Sequence, residues 1–282
     1  MSLILNARKD FHTAVFGPIL RVDKKGVPGN ADSSSKSSIE IAQGIVKATG
    51  IDTKVVAGSR LPGQRAGAMF EDACCRYIEK TFLHLEHLRP GSWVVEKGSN
   101  IALYDQYSHL DELEEIAKSN SNLRAALGSD YVIKPDVVVF REPESDKTIN
   151  SASAVVDNQC AKQTSLRLAN NKSPILHASV SCKWTIRSDR AQNARSEGLN
   201  LVKNRKGRLP HVTVVTAEPT PNRIASIALG TGEIDCVYHF ALDELVLTLS
   251  NQNREESIEL INTMISGKRL KDISDLPLDL AI

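Results

Sequence analysis

No uninterrupted apolar stretch of the chain approaches the roughly 20 residues that a bilayer-spanning helix needs, and nothing near the N-terminus joins a basic start to an apolar run. The chain is therefore expected to be a soluble cytoplasmic protein without a membrane span. Cysteine is scarce. The five present (Cys74, Cys75, Cys160, Cys182 and Cys236) are odd in number, form no CxxC pair and fall mostly in apolar runs. That usage excludes a disulfide framework and a zinc site of the usual spacing, and reads as reduced core residues. Internal repeats are absent, which excludes a solenoid. Net charge is nearly absent as well, at +1, which at first argues against a polyanionic partner.

The near-zero total conceals a concentration. Between Lys183 and Arg208 eight Lys or Arg stand against only Asp189 and Glu197, so this one segment is strongly basic and the remainder is net acidic. Such asymmetry fits a protein that grips a polyanion on one face; a solvated basic helix is the alternative. With 282 residues, 41% of them apolar, the chain has enough material for a normal core.

Two small, polar stretches, "GVPGNADSSSKSS" from Gly26 and "REPESDKTINSASA" from Arg141, read as loops or arms. Between them, the stretch 63–88 places Ala66, Met69, Phe70, Ala73 and Tyr77 at spacings of three and four before Pro90 and Gly91, which predicts a long amphipathic helix. "YVIKPDVVVF" (131–140) and "ILHASVSCKWTI" (175–186) read as strands. In the second, Leu176, Ala178, Val180, Cys182, Trp184 and Ile186 face one way and His177, Ser179, Ser181, Lys183 and Thr185 the other. A helix is predicted from Ser188 or Asp189 to before Pro210. Strands at 211–218 and 234–240, a short element from Pro221, and helices around 242–250 and 254–265 complete the pattern. The alternation predicts an α/β fold with a mixed sheet and helices on its faces.

Asp136 follows Pro135 in a β-rich run, and Lys183 stands on another strand with Ser181 on the same face. An aspartate in such a run is costly to bury unless a cation or a donor meets it. A metal-dependent phosphodiesterase has that need: carboxylates hold a hard divalent cation, and a nearby ammonium offsets phosphate charge and favours deprotonation of an attacking water. P-D and S-x-K are short patterns, so a loop cap and an exposed strand lysine remain the alternative. The adjoining "RSDR" (187–190) adds chemistry suited to base reading. Arginine forks match guanine O6 and N7 and aspartate accepts from the cytosine amino group, so Arg187, Asp189 and Arg190 could read G and C edges from a helix N-terminus. Structural pairing of the aspartate by the arginines is the alternative there.

"PD" at 135–136, "SCK" at 181–183, "RSDR" and Glu197 together resemble the PD-(D/E)xK restriction endonucleases, in the branch that reads CCGG. The resemblance runs from about Asn30 to the C-terminus, through "RLPGQ", "ALGSDY", "HASVSCKWTIRSDRAQNARSEGLNLVKNRKGRLPH" and "GTGEIDCVYHFAL". No roles are transferred to residues 1–29 and 141–174. It implies a restriction-endonuclease-like core. On this view residues 1–282 form one domain, with an N-terminal arm and DNA-contacting loop over 1–60, a catalytic core over 61–282 and a variable insertion near 141–174.

The resemblance further implies that Asp136 binds Mg²⁺, that Lys183 lies by the attacking water, and that Glu197 is the second metal carboxylate, with the Cys182 backbone carbonyl as a further ligand. Glu71 in "AMFEDA" matches an accessory acid with an indirect role. Ser181 fills the position where the usual family pattern has an acid, and is counted with the catalytic positions. Arg187, Asp189 and Arg190 match the trio that reads the inner CCGG. Asp32, Gln64 and Arg223 match positions that approach DNA beside that trio, including the flanking G·C pair. His177 and the other histidines are read as surface or core residues.

The implied activity is Mg²⁺-dependent type II cleavage of duplex DNA at a palindrome containing CCGG, with GCCGGC preferred, cut before the first C to leave 5′ CCGG overhangs. A palindrome requires a two-fold protein; family relatives assemble as homotetramers, and a companion DNA methyltransferase in a bacterial cytoplasm is expected. A cleavage-inactive DNA-binding protein of the same fold, and a repair or junction-resolving nuclease, are the other readings. Helix geometry supports the placement of Glu197: at ~100° per residue it lies about 80° round from Asp189, beside Arg190 at about 100°, and ~10 Å further along nearly the same face as that arginine. Pairing with Arg195 or Lys203 on the helix surface is the alternative for Glu197.

Overall fold

Apolar β-branched runs on several strands require a sheet covered on both faces, and the computed structural model has one. It describes residues 2–282 apart from 99, 123–124, 126–132 and 231. Among the described residues the sheet has six strands in chain order: β1 (Trp93–Lys97), β2 (Val137–Arg141), β3 (Ile175–Lys183), β4 (His211–Thr216), β5 (Cys236–His239) and β6 (Leu270–Asp272). β1–β2–β3 pair antiparallel and β3–β4–β5–β6 parallel, so the sheet is mixed, as the sequence predicts. Among the described residues no helix is long and apolar enough to cross a membrane.

The helices are α1 (Leu3–Val15), α2 (Lys36–Ala48), α3 (Thr53–Val56), α4 (Gly63–Phe82), α5 (His109–Ser119), α6 (Asp146–Ile149), α7 (Ser188–Asn204), α8 (Pro221–Ala228), α9 (Leu242–Asn251), α10 (Glu255–Ser266) and α11 (Leu276–Asp279). α4 packs against β1, β2 and β3, with α1 against α4, while α7 packs on β4 and α8 on β5. The predicted long helix ends at Phe82 and tightens into a 3₁₀ turn over Leu83–Leu85. Residues 1–60 differ from the predicted arm: α1 and α2 occupy much of that stretch, with Phe11, Val15, Ile41 and Ile45 all buried. Apolar residues every third or fourth position give these segments a core-facing stripe. α1 is pinned to the far end of the chain, where Arg8 donates to Glu244 at 2.7 and 2.9 Å and to both oxygens of Asp272 at 2.8 Å.

Three strand expectations need correction. The 131–140 strand begins only at Val137; residues 131–132 lie outside the described set, and Pro135 has no N–H to give a ladder. The 175–186 strand ends at Lys183. Its simple alternation also fails at one point, because Val139 pairs with Ala178 and Phe140 with Leu176, leaving His177 as an extra residue on β3. Such a bulge turns the side chain to the other face, and the His177 ring meets Phe82 at the end of α4, 6.1 Å between centroids. The five cysteines are free; Cys74, Cys182 and Cys236 are buried, as the core reading has it, whereas Cys75 is only partly buried and Cys160, in the polar 141–174 stretch, is exposed and departs from it.

Candidate active site and DNA-reading cleft

The C-terminal end of β3 collects the predicted catalytic residues. β2 starts one residue after Asp136, so Asp136 stands just beyond the last rung between β2 and β3, where Val137 faces Val180. Its Oδ2 accepts a 2.7 Å hydrogen bond from the Cys182 N–H and a 3.1 Å bond from Lys183 Nζ. The donor that the sequence demanded for this aspartate is therefore strand β3 itself. Gly98, which the sequence reading passed over, makes the placement possible: its N–H donates to the Asp136 carbonyl at 3.0 Å, and a Cβ there would fall 1.3 Å from the Pro135 oxygen. A lone glycine directly after a strand was the available signal.

Glu197 arrives from α7. Ser181 donates its hydroxyl to Glu197 Oε2 at 3.1 Å, which rules out the alternative of a solvent-facing helix pair. α7 can lie this close because Gly198 follows: a Cβ would come within 2.9 Å of the Glu233 carbonyl. Burial pushes the Glu197 carboxyl above its ordinary range, the Lys183 charge pulls it down, and the Asp136 charge pushes it further up. Glu71 of α4 is raised by burial first and then by the Asp136 charge, so three acids converge on one lysine. Burial opposes the charge on Lys183, but Asp136 and Glu197 outweigh it and hold the ammonium protonated well above neutrality.

Among the described residues no group of three His, Cys, Asp or Glu side chains is gathered as a metal cage. The donor set still suits a magnesium-type cation, which takes one or two carboxylates and fills its remaining positions with water and phosphate oxygens. Asp136 and Glu197 are the two that could provide the carboxylates. The Cys182 carbonyl could add to them: N–H and C=O of one strand residue point to the same side, and the Cys182 N–H is turned to Asp136, past the end of β2.

The chain then turns into α7, and the "RSDR" residues lie at its start. Arg187 is the N-cap and is exposed, Asp189 is exposed in the first turn, and Arg190 donates to the Thr185 hydroxyl at 2.9 Å. Arg187 borders an open cleft of about 1030 Å³ together with Asp32, Gln192, Arg195, Asn222 and Arg223. A smaller pocket of about 280 Å³ continues it past Arg60, Gly63 and Arg190. Gln64 is exposed at the start of α4, next to Gly63, whose position lies near Arg190. Asp32 and Arg223, distant in sequence, meet here as an ion pair at 2.5 Å. The Ser34 hydroxyl and then Arg223 hold the Asp32 carboxyl far below its usual range, a pairing that no spacing in the sequence disclosed. Residues 126–131, the "ALGSDY" motif, lie outside the described set.

The family model described as NgoMIV restriction enzyme matches residues 11–282. The chain is 54% identical to Type II restriction enzyme NgoMIV of Neisseria gonorrhoeae, over 99% of each chain. A solved structure, Type IIF restriction endonuclease Bse634I with cognate DNA, is matched over 90% of this chain and 91% of that one at 13% identity and a TM-score of 0.39.

Proposed function

The chain belongs to the NgoMIV restriction enzyme family and is a type II restriction endonuclease, a site-specific deoxyribonuclease; from that premise we propose that it is Mg²⁺-dependent, that it cuts duplex DNA at a palindrome containing CCGG, with GCCGGC preferred, and that it leaves 5′ CCGG overhangs. The observation that carries this reading is the continuity of β3 with α7: Lys183 stands on Asp136, and four residues later Arg187 opens the helix whose start faces the cleft. Cutting and reading then share one rigid unit, so a correct base sequence sets the phosphate in place. Family membership sets aside the non-cleaving DNA-binding protein and the junction nuclease.

Asp136, Glu197 and the Cys182 carbonyl would hold the cation. When bound it neutralises charge at the scissile phosphate and lowers the pKa of a water. Lys183, kept protonated by Asp136 and Glu197, donates to the scissile phosphate and orients a water for in-line attack, with inversion at phosphorus. Ser181 fixes the carboxylate of Glu197 through its hydroxyl, and Glu71 acts on Asp136 through charge. Arg187, Asp189 and Arg190 read the inner tetranucleotide; Asp32, Arg223 and Gln64 approach the flanking pair. The palindrome calls for two copies of the chain, and we extend this to a homotetramer with a companion methyltransferase protecting the host. The whole chain serves as one nuclease unit.

Sequencing the ends of fragments from a Mg²⁺ digest of known DNA tests site and cut position together. Ends reading CCGG with 5′ overhangs are expected; any other terminal sequence refutes the specificity.

A further inference from the structure

Directly after β4 the chain makes a corner, "TAEPTPNR", that links the strand to α8 and Arg223. Its centre is Glu218, a fully buried carboxylate. Oε2 accepts a 2.8 Å hydrogen bond from the Ile186 N–H, and Oε1 accepts a 3.1 Å bond from the Thr220 N–H. Those two donors are not equivalent bystanders. Ile186 immediately precedes Arg187, and Thr220 is the N-cap residue of α8, three positions before Arg223. The Arg223 guanidinium itself lies 4.0 Å from Glu218 Oε2.

The backbone of the corner is tied in the same way. The Glu218 N–H donates to the Thr216 hydroxyl at 3.1 Å, and that hydroxyl donates to the Lys183 carbonyl at 2.8 Å. The Glu218 carbonyl accepts from the buried His239 ring at 3.1 Å. Burying a carboxylate is expensive, and burial raises this one's pKa. Packing alone would be met more cheaply by an apolar side chain. What an apolar residue cannot do is accept from two backbone N–H groups on separate elements at once, a task for which a carboxylate, with acceptors only, is suited.

We propose that Glu218 is a positioning residue for base reading: it fixes the turn that carries Arg187 against the helix start that carries Arg223, so that inner and flanking base pairs are read as one unit. This rests on the assignment of Arg187 and Arg223 to DNA reading. In Glu218→Gln one acceptor becomes an NH₂ group and faces an N–H donor, so one of the two ties is lost with little change in volume.

The test measures binding of cognate GCCGGC duplex, of duplexes altered at the flanking or inner pairs, and of unrelated duplex, all without Mg²⁺, and cleavage kinetics with it. Glu218→Gln is expected to lower the cognate-to-altered affinity ratio at least tenfold while unrelated-duplex affinity stays within twofold, and to raise KM for cognate DNA more than it lowers kcat. Glu218→Asp, which keeps both oxygens, is expected to recover part of the ratio. A folded Glu218→Gln protein with unchanged discrimination, or with equal loss on every duplex, overturns the proposal. Amide exchange on the unaltered protein gives a second arm independent of folding defects: the Ile186 and Thr220 N–H groups must be strongly protected, and rapid exchange at either overturns it too. Arg187→Ala and Arg223→Ala are run in parallel. If they leave discrimination intact, the base-reading assignment fails; if they reduce it and Glu218→Gln does not, only the role of Glu218 fails.

Discussion

Ser181 on β3 and Glu197 on α7, sixteen positions apart, meet through a 3.1 Å hydrogen bond, so the strand position that would carry an acid in the usual pattern and the helical acid of this chain occupy one place. A hydroxyl is a poor ligand for a hard cation, whereas a carboxylate at either position reaches the same space. Glu197→Ala should therefore lose more Mg²⁺-dependent plasmid cleavage than the roughly 10–100-fold that removal of an outer-shell partner costs. Ser181→Ala should keep most activity, and Ser181→Glu with Glu197→Ala should recover some. A fully active Glu197→Ala would move the second carboxylate elsewhere, with Glu71 next in line.

Asp136→Ala and Lys183→Ala should each abolish cleavage but leave specific DNA binding largely intact, because neither side chain is placed to read a base. Gel-shift titration beside a digest checks both halves. Near wild-type cutting by either protein would remove the active-site assignment.

Gly98→Ala tests the same aspartate through its backbone. An added methyl would collide with the Pro135 carbonyl, so the 135–136 step must shift and carry Asp136 away from Cys182 and Lys183. Cleavage should fall as in Asp136→Ala, and the melting temperature should fall as well. Unaltered activity would show that the two strands can part without disturbing the site.

Arg187→Ala and Arg190→Ala should each cost roughly 1–3 kcal/mol of discrimination if their forks meet guanine. Competition binding between cognate and altered duplexes measures this. Equal weakening on all duplexes would make the arginines phosphate contacts. Arg190 must also leave or share its bond to Thr185, so Thr185→Val should alter Arg190-dependent discrimination without touching that of Arg187.

Stability should decline in acid through buried histidines. Burial holds His177 neutral, with its pKa lowered to about 3, and His239 at about 4, against an ordinary 6.5. Below pH 6.5 the unfolded chain takes up protons that the folded state refuses, so this contribution is complete above 6.5 and is lost as pH falls towards 3–4, at up to about 1.4 kcal/mol per pH unit for each ring. Melting curves from pH 7.5 to 4.5 should show the decline, and His177→Gln, still able to donate to the Leu280 carbonyl, should flatten it. A melting temperature independent of pH would contradict the neutral assignment.

The β3–α7 unit was legible in the sequence because its signals are local: alternation in "ILHASVSCKWTI", polar residues at the helix start, and short motifs in fixed order. Helix periodicity was enough to put Glu197 on the face of Arg190, while its meeting with Ser181 is set by the packing of α7 on the sheet. The bulge at His177 was not legible, since it is set by pairing with β2 across 36 or more positions. Nor was the burial of Glu218, whose partner Ile186 lies 32 positions earlier. The Asp32–Arg223 ion pair spans 191 positions, and only the fold brings it together. α1 is a different case: Ala7, Phe11 and Val15 lie four apart and all three are buried, a helical stripe present in the sequence and not taken up.

Arg8 clasps Asp272 across 264 positions of chain. On the ribosome, at about 5–20 residues per second, the first helix emerges roughly 13–50 s before the strand that will hold it. Throughout that interval α1 can pack on α4 but lacks its tie to Asp272, and the sheet cannot close its last parallel edge. One late strand therefore fastens the first helix and finishes the sheet together, so these two parts of the fold become permanent in the same event.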